Sequence, residues 1–190
     1  MMRVGICGAH RVGKSTLARL LADRMALTMI DAGVSKVFAE MGLSPSSTLD
    51  ASSRLSVQER ILKKFEQVMS GGERVIIDRT PIDMVAYLLA DMNQQHYQEA
   101  RVSERVMDYI KECFETARKT LDFVIYVPPG IPLEHAEGKG LIDQGYIQAT
   151  HWLMKSALAD SGVRYGTMPT GMIDIETRCQ WAESAICFHL

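Results

Sequence analysis

Short apolar runs alternate with longer amphipathic stretches along this chain. The short runs are rich in β-branched residues and lack polar alternation, which is typical of strands buried on both faces of a sheet. The longer stretches carry apolar side chains at helical spacing, most clearly between Val102 and Ala117. This alternation predicts an α/β fold, a three-layer sandwich in which a parallel sheet lies between two layers of helices. The predicted strands are Val4–Cys7, Leu27–Ile30, Val75–Ile77, Phe123–Val127 and Val163–Met168.

The composition is that of an ordinary globular domain. The 190 residues are 47% hydrophobic and 23% charged, with a formal net charge of −2. Such a chain is too apolar and too weakly charged to be disordered, and its length predicts one domain over residues 1–190. The absence of a Lys/Arg run argues against strong sequence-independent binding of nucleic acid. It does not exclude a local basic groove. No apolar stretch is long enough for a signal peptide or a membrane span, so we expect a cytoplasmic protein, in the host cytoplasm if a phage encodes it.

Cysteine and aromatic side chains are assigned to the core. The cysteines at positions 7, 113, 179 and 187 are far apart, whereas zinc needs clustered ligands. We therefore expect reduced thiols that pack as small apolar groups. Tyr146 and Trp152 are likewise expected in the core rather than as platforms for a base.

A glycine-rich segment directly follows the first predicted strand. Residues Gly8–Ser15, Gly-Ala-His-Arg-Val-Gly-Lys-Ser, form a complete G-x-x-x-x-G-K-[ST] pattern between a strand and an amphipathic helix. In such a loop the backbone N–H groups point at a polyphosphate, Lys14 reaches the β and γ phosphates, and the Ser15 hydroxyl ligates Mg²⁺. His10 is either a solvent-facing or a catalytic residue, and Arg11 either adds charge near the phosphates or lies at the surface. The predicted nucleotide-binding residues are Gly8, Ala9, His10, Arg11, Val12, Gly13, Lys14, Ser15 and Thr16.

A carboxylate stands at the carboxyl end of the third predicted strand. Ligands of open α/β sheets bind at that edge, so we expect Asp78 to face the loop and to hold a Mg²⁺-bound water or take the proton of an attacking hydroxyl. Arg79 is either a phosphate or sugar clamp or part of a surface ion pair. Thr80 followed by Pro81 predicts a helix N-cap and first residue. Asp83 either completes that cap or contacts the acceptor.

Together, the Gly8–Ser15 loop and the Asp78–Asp83 segment resemble the P-loop kinase superfamily. The likeness is greatest to its nucleoside and nucleotide kinases, including small bacterial and phage proteins similar to nicotinamide-riboside kinases. It extends to Arg54–Arg60 and to Asp122–Pro128, and so covers most of the chain, although only the loop is a stringent motif. The resemblance implies the P-loop NTPase fold, with a five-stranded parallel sheet in the order 2-3-1-4-5, and ATP and Mg²⁺ as cofactors. We predict Lys14, Asp78 and Arg79 as catalytic residues, and Ser15 and Asp78 as metal ligands.

The segment from 128 to 140 is rich in Pro and Gly and has no periodicity, which predicts a short lid loop. Lids of this superfamily carry arginines that clamp the transferring phosphoryl group. This segment has none, so Lys139 is the nearest candidate, with Arg79 or Lys155 as substitutes. The acceptor is expected over the strand ends, although Lys36, Arg54, Gln58 and Lys139 are at least as well explained as surface residues. The predicted acceptor-side residues are Asp31, Lys36, Arg54, Gln58, Asp83 and Lys139.

Two other classes of nucleotide-binding protein do not fit. A regulatory GTPase needs an N-K-x-D motif and a D-x-x-G switch, but the only asparagine, Asn93, is followed by Gln94 and no D-x-x-G occurs. A ring-forming motor ATPase would carry a glutamate directly after the strand-end aspartate, where this chain has Arg79.

The predicted function is an ATP-dependent kinase that transfers the γ-phosphoryl group to a nucleoside- or nucleotide-type acceptor. The alternatives are a phage-type kinase acting on a hydroxymethylated base such as 5-hydroxymethyluracil in DNA, a nicotinamide-riboside kinase, and an ATP-binding module without turnover. A DNA acceptor would need phosphate contacts, for which Arg54, Arg60, Lys63 and Lys64 offer one basic patch. The expected partner is a small-molecule nucleoside or nucleotide, with modified DNA as the alternative. A homodimer is left open, and no membrane partner is expected.

Overall fold

The computed structural model describes residues 2–44, 47–92, 100–132 and 143–190. Each predicted strand is found within two residues of its predicted ends. The strands are β1 (Met2–Cys7), β2 (Thr28–Asp31), β3 (Arg74–Asp78), β4 (Phe123–Tyr126) and β5 (Tyr165–Thr167). The helices are α1 (Lys14–Met25), α2 (Val34–Glu40), α3 (Ala51–Met69), α4 (Pro81–Asp91), α5 (Ala100–Thr120), α6 (Gln144–Ser161) and α7 (Ile175–His189). None of these described helices is long and apolar enough to span a membrane.

All five strands are parallel and lie in the order β2-β3-β1-β4-β5. This confirms the predicted fold class, a three-layer α/β sandwich with the sheet order of P-loop NTPases. Ile6 of β1 pairs with Asp78 of β3, and Asp78 pairs in turn with Asp31 of β2. The carboxyl ends of these three strands therefore meet at one edge of the sheet, where the loop after β1 begins.

Successive residues of β1, β3 and β4 contribute to two cores, one on either face of the sheet. Val4 and Ile6 of β1 pack with side chains of α1 and α7. Cys7 packs on the opposite face with side chains of α3, α4, α5 and α6. Because both faces are covered, the strands have the continuous apolar runs seen in the sequence.

Two predictions about the core are wrong. Trp152 is 64% exposed, because the buried face of α6 passes through Thr150 and Met154 and leaves Trp152 on the opposite side. Cys187 is exposed near the end of α7, whereas the other three cysteines are buried as expected.

The first turn of α4 packs directly on β1. Thr80, the N-cap of α4, is fully buried, and its Cγ2 methyl group lies 2.5 Å from the place where a Cβ on Gly5 would stand. This contact holds the start of α4 at the carboxyl edge of the sheet, next to the loop that follows β1.

We expect Gly5→Ala to lower the free energy of unfolding by roughly 1–3 kcal/mol, because the added methyl group overpacks the contact with Thr80. Gly71→Ala is the control, since no atom lies within 4 Å of its added Cβ and its φ is not positive. That variant should be neutral or slightly stabilising. Urea unfolding measures both, and equal effects would contradict a close contact between β1 and α4.

Candidate functional site

The loop between β1 and α1 closes around a lysine. Lys14 is buried and donates from Nζ to the carbonyl oxygens of Gly8, at 2.6 Å, and Ala9, at 2.7 Å. A Cβ on Gly8 would lie only 2.4 Å from the carbonyl oxygen of Val127, so this position has no room for a side chain. Gly13 has a φ of 82°, in the left-handed region that favours glycine. The backbone of the predicted loop is therefore wrapped around the ammonium group of Lys14.

A hydroxyl and a carboxylate meet beside this loop. Ser15 is exposed and donates from Oγ to Oδ2 of Asp78 at 2.5 Å, which brings together the two predicted metal ligands. The other oxygen of Asp78, Oδ1, is buried and has no hydrogen-bond partner among the described residues. An unsatisfied buried carboxylate oxygen is costly, and it is also the type of ligand that Mg²⁺ prefers. A hydroxyl and a carboxylate are both oxygen ligands, so Ser15 and Asp78 would fit a Mg²⁺ that phosphate and water also bind. The described part of the chain has no cluster of three acidic, His or Cys ligands.

Asp83 connects the loop to the start of α4. Its Oδ2 accepts hydrogen bonds from the N–H of Thr80 at 2.8 Å and from the Thr80 hydroxyl at 2.9 Å. Its Oδ1 accepts from the N–H of Gly8 at 3.3 Å. The bonds to Thr80 belong to a capping box, so the predicted helix cap is confirmed. Because three buried donors already use this carboxylate, its observed place is beneath the loop, and its contact with an acceptor stays a prediction.

Burial perturbs the charges around the loop. It raises the pKa of Asp83 and lowers the pKa of Lys14, and each shift is partly offset by the opposite charge of the other residue. Arg79 lowers the pKa of Lys14 further. A phosphate anion bound in the loop would stabilise the protonated form of Lys14.

The guanidinium of Arg79 is held by an aromatic ring. Arg79 has a left-handed φ of 78°, and its N–H donates to the carbonyl oxygen of Ile6 at 3.1 Å. Its guanidinium carbon lies 5.4 Å from the ring centre of Tyr87, within range of a cation–π interaction. The ring of Tyr87 lies 6.5 Å from that of Tyr146, which in turn lies 5.6 Å from the ring of His10. The loop and α4 thus contact α6 through aromatic side chains whose roles here were not predicted.

Two predicted acceptor-side residues have defined local partners. Asp31 ends β2 beside Asp78, and its Oδ1 accepts a hydrogen bond from the N–H of Gly33 at 2.8 Å. Arg54 donates to the carbonyl oxygen of Ser47 at 3.0 Å and forms an ion pair with Asp91 at 3.5 Å. Asp31 is therefore at the same sheet edge as Asp78, whereas Arg54 is engaged between α3 and α4.

Of the three remaining acceptor-side residues, the structure describes two, and the third lies outside the described residues. Lys36 is exposed on α2, and Gln58 is buried in α3. Lys139 lies outside the described residues, as does most of the predicted lid, of which only 128–132 is described. Lys155, the proposed substitute clamp, is exposed on α6.

Sequence reasoning missed a buried arginine from the last helix. Arg178 is 3% exposed and donates from Nη2 to the carbonyl oxygen of Val12 at 2.7 Å and from Nε to the sulfur of Met168 at 3.3 Å. The helical spacing would have indicated its burial, because Arg178, Ala182 and Ile186 are four residues apart and share the buried face of α7. An arginine on the apolar face of a helix must find polar partners in the interior.

The fold is shared with solved structures of the NadR protein and of two kinases. The structure of the NadR protein in complex with NR has a TM-score of 0.69 and 15% identity, covering 99% of this chain and 51% of that one. Deoxyadenosine kinase from M. mycoides with bound dATP gives a TM-score of 0.61 and 16% identity, over 98% of this chain and 100% of that one. Thymidylate kinase from Candida albicans gives a TM-score of 0.58 and 16% identity, over 98% of this chain and 91% of that one. The chain spans about half of the NadR chain, and at these identities the likeness confirms the P-loop kinase fold.

A family model also matches the sequence. The model describes an AAA domain and matches residues 3–178, from β1 to the first turn of α7. No curated protein matches the sequence.

We expect Asp83→Ala to lower the free energy of unfolding by roughly 2–5 kcal/mol, because it leaves buried donors of Thr80 and Gly8 without an acceptor. Asp50→Ala is the matched control, since Asp50 caps α3 from an exposed position and should cost about 1 kcal/mol. Urea unfolding compares the two, and hydrogen exchange of the Gly8 amide should accelerate only in Asp83→Ala. A cost no larger than that of Asp50→Ala would show that Asp83 acts as a helix cap alone.

The lowered pKa of Lys14 predicts a pH-dependent stability difference. Between that lowered pKa and the ordinary value of 10.5, the unfolded chain binds a proton at this lysine that the folded chain does not. The free energy of unfolding of the wild type, relative to Lys14→Met, should therefore rise with pH across this window and be flat on either side. Urea unfolding of both proteins from neutral to alkaline pH measures the difference, and a difference that falls with rising pH would contradict the burial of a charged Lys14.

Proposed function

The chain belongs to the AAA domain family, and we propose that it is an ATP-dependent kinase that transfers the γ-phosphoryl group to a nucleoside- or nucleotide-type acceptor. One observation carries the proposal. Lys14, Ser15 and Asp78 meet at the carboxyl edge of the sheet, where Asp78 keeps one buried oxygen without a described partner.

The loop residues would bind the polyphosphate of ATP. Lys14 would exchange part of its bonding to the Gly8 and Ala9 carbonyls for phosphate oxygens, which would lower the cost of burying its ammonium group, a cost that Asp83 offsets only in part. The backbone N–H groups of the loop and the amino end of α1 would stabilise the same negative charge.

Ser15 and Asp78 would hold Mg²⁺ between the protein and the phosphates, where the ion supplies neutralisation of the charge that develops during transfer. Oδ1 of Asp78 has the further capacity to accept the proton of the attacking hydroxyl. Arg79, fixed over the ring of Tyr87, would place a positive charge near the transferring group. In this proposal residues 1–190 act as one kinase domain, with a lid of about 128–140 that excludes water.

The class of acceptor is supported by analogy. Proteins of the same fold include kinases named for a deoxynucleoside and for a nucleotide. A direct argument from this chain concerns hydrolysis. The position after the strand-end aspartate holds Arg79 with its guanidinium on Tyr87, and a cation there cannot polarise a water for attack as a carboxylate would. ATP should therefore be consumed only when an acceptor is present.

Lys14→Ala is expected to reduce phosphoryl transfer by at least about 100-fold, because the charge that stabilises the transferring phosphoryl group is lost, while the fold is retained. The control is Lys119→Ala, an exposed lysine at the end of α5, which should leave transfer unchanged. The assay follows label from γ-labelled ATP into nucleosides, nucleotides, nicotinamide riboside and duplex DNA containing 5-hydroxymethyluracil.

Label in a nucleoside or nucleotide would support the proposal, and label only in DNA or in nicotinamide riboside would replace its acceptor. Binding of ATP without transfer to any acceptor would identify a non-catalytic module. Near-normal transfer by Lys14→Ala would show that the mechanism is wrong.

A further inference from the structure

A positive charge is buried behind the phosphate loop without an acidic partner. Arg178 is 3% exposed, and among the described residues no carboxylate lies within ion-pair distance of it. The two carboxylates just before it in the sequence have other partners, since Glu176 pairs with Arg24 and Asp174 accepts from the N–H of Thr177. Burial lowers the pKa of Arg178, and no described carboxylate offsets that effect. A guanidinium in this setting must be stabilised by hydrogen bonds or by an anion nearby.

The position of Arg178 relative to the loop is specific. Nη2 donates to the carbonyl oxygen of Val12 at 2.7 Å. Nη1 would lie 2.8 Å from a Cβ at Gly13, so the guanidinium can approach the backbone this closely only because residue 13 is glycine. The guanidinium thus lies next to both residues of the peptide unit that joins Val12 to Gly13.

That peptide unit transmits the contact to the other side of the loop. In a planar trans peptide, the C=O and the N–H point in opposite directions. Because Arg178 binds the Val12 carbonyl, the N–H of Gly13 points away from Arg178. In loops of this pattern, the backbone amides meet a polyphosphate on that side. A charged donor on the carbonyl also polarises the peptide and makes its N–H a stronger donor.

We propose that Arg178 is a positioning residue for the nucleotide, acting on the phosphate bound by the Gly13 amide through the Val12–Gly13 peptide. The inference rests on the proposed function in one respect, because it needs a polyphosphate in the loop. It adds a role for α7, which carries no residue of the phosphate-loop motif. The charge of Arg178 and that of the phosphate stabilise each other across one peptide unit.

The test compares Arg178→Met, which removes the charge, with Arg178→Lys, which keeps the charge but loses the planar fork. Arg118→Met is the matched control, since Arg118 also donates to a carbonyl, that of Ser161 at 2.7 Å, near the amino ends of β4 and β5. Calorimetry measures the binding of ADP and of inorganic tripolyphosphate to each folded variant. Tripolyphosphate has no base or ribose, so a change in its affinity reports on the phosphate site alone.

Arg178→Met should weaken the binding of both probes by the same factor, roughly tenfold, and Arg178→Lys by less. Arg118→Met should leave both affinities unchanged, whatever it does to the melting temperature. Unchanged affinity in Arg178→Met, or an equal loss in Arg118→Met, would overturn the inference. If Arg178→Met does not fold, unchanged affinity in Arg178→Lys overturns it in the same way.

A second readout reports on the peptide itself. In glycine-labelled protein, binding of tripolyphosphate should shift the amide proton of Gly13 downfield, and this shift should be smaller in Arg178→Lys than in the wild type. An equal shift in both proteins would overturn the inference while leaving the kinase proposal intact. If the wild type bound neither ADP nor tripolyphosphate, both the inference and the kinase proposal would be overturned.

Discussion

The structure depends on the conformation of one loop, Gly8–Ser15, at the carboxyl edge of the sheet. A loop of eight residues without regular secondary structure does not hold one conformation by itself, because its backbone polar groups must find partners in other parts of the chain. Here side chains from three different elements hold its ends and its carbonyls. Lys14 binds the first two carbonyls, Asp83 accepts from the N–H of Gly8, and Arg178 binds the carbonyl of Val12.

This arrangement explains why charges are buried at the carboxyl edge of the sheet despite their cost. Lys14 and Arg178 are held by neutral carbonyls in the structure, and burial disfavours the charged form of each. Asp83 offsets part of this cost for Lys14, and a polyphosphate bound as proposed would bring further negative charge close to both residues. Under the proposed function, these side chains would hold the loop in a preorganised conformation before a polyphosphate binds.

The sequence predicts the fold and the loop well because both depend on local patterns. Continuous apolar runs predict the strands, and the spacing of two glycines, a lysine and a serine predicts the loop; the sheet order came from the resemblance that this motif supports. The role of Asp83 in the cap is also local, since Thr80 stands three residues before it. The contacts of Arg178 and of Tyr146 with the loop are between residues more than 130 positions apart, and only the folded chain brings them together. The prediction for Trp152 was wrong because it rested on the apolar character of the side chain. The face that α6 turns to the core does not include this residue.

Transfer of a phosphoryl group from this site to a small acceptor would fix the stoichiometry of one reaction. The wild type is incubated with ATP and Mg²⁺, with and without a pool of nucleosides and nucleotides, and ADP, inorganic phosphate and phosphorylated acceptor are measured together. We predict one phosphorylated acceptor for each ADP formed, and negligible ADP without the pool. ADP matched by inorganic phosphate, at a rate independent of the pool, would identify a hydrolase and contradict the account.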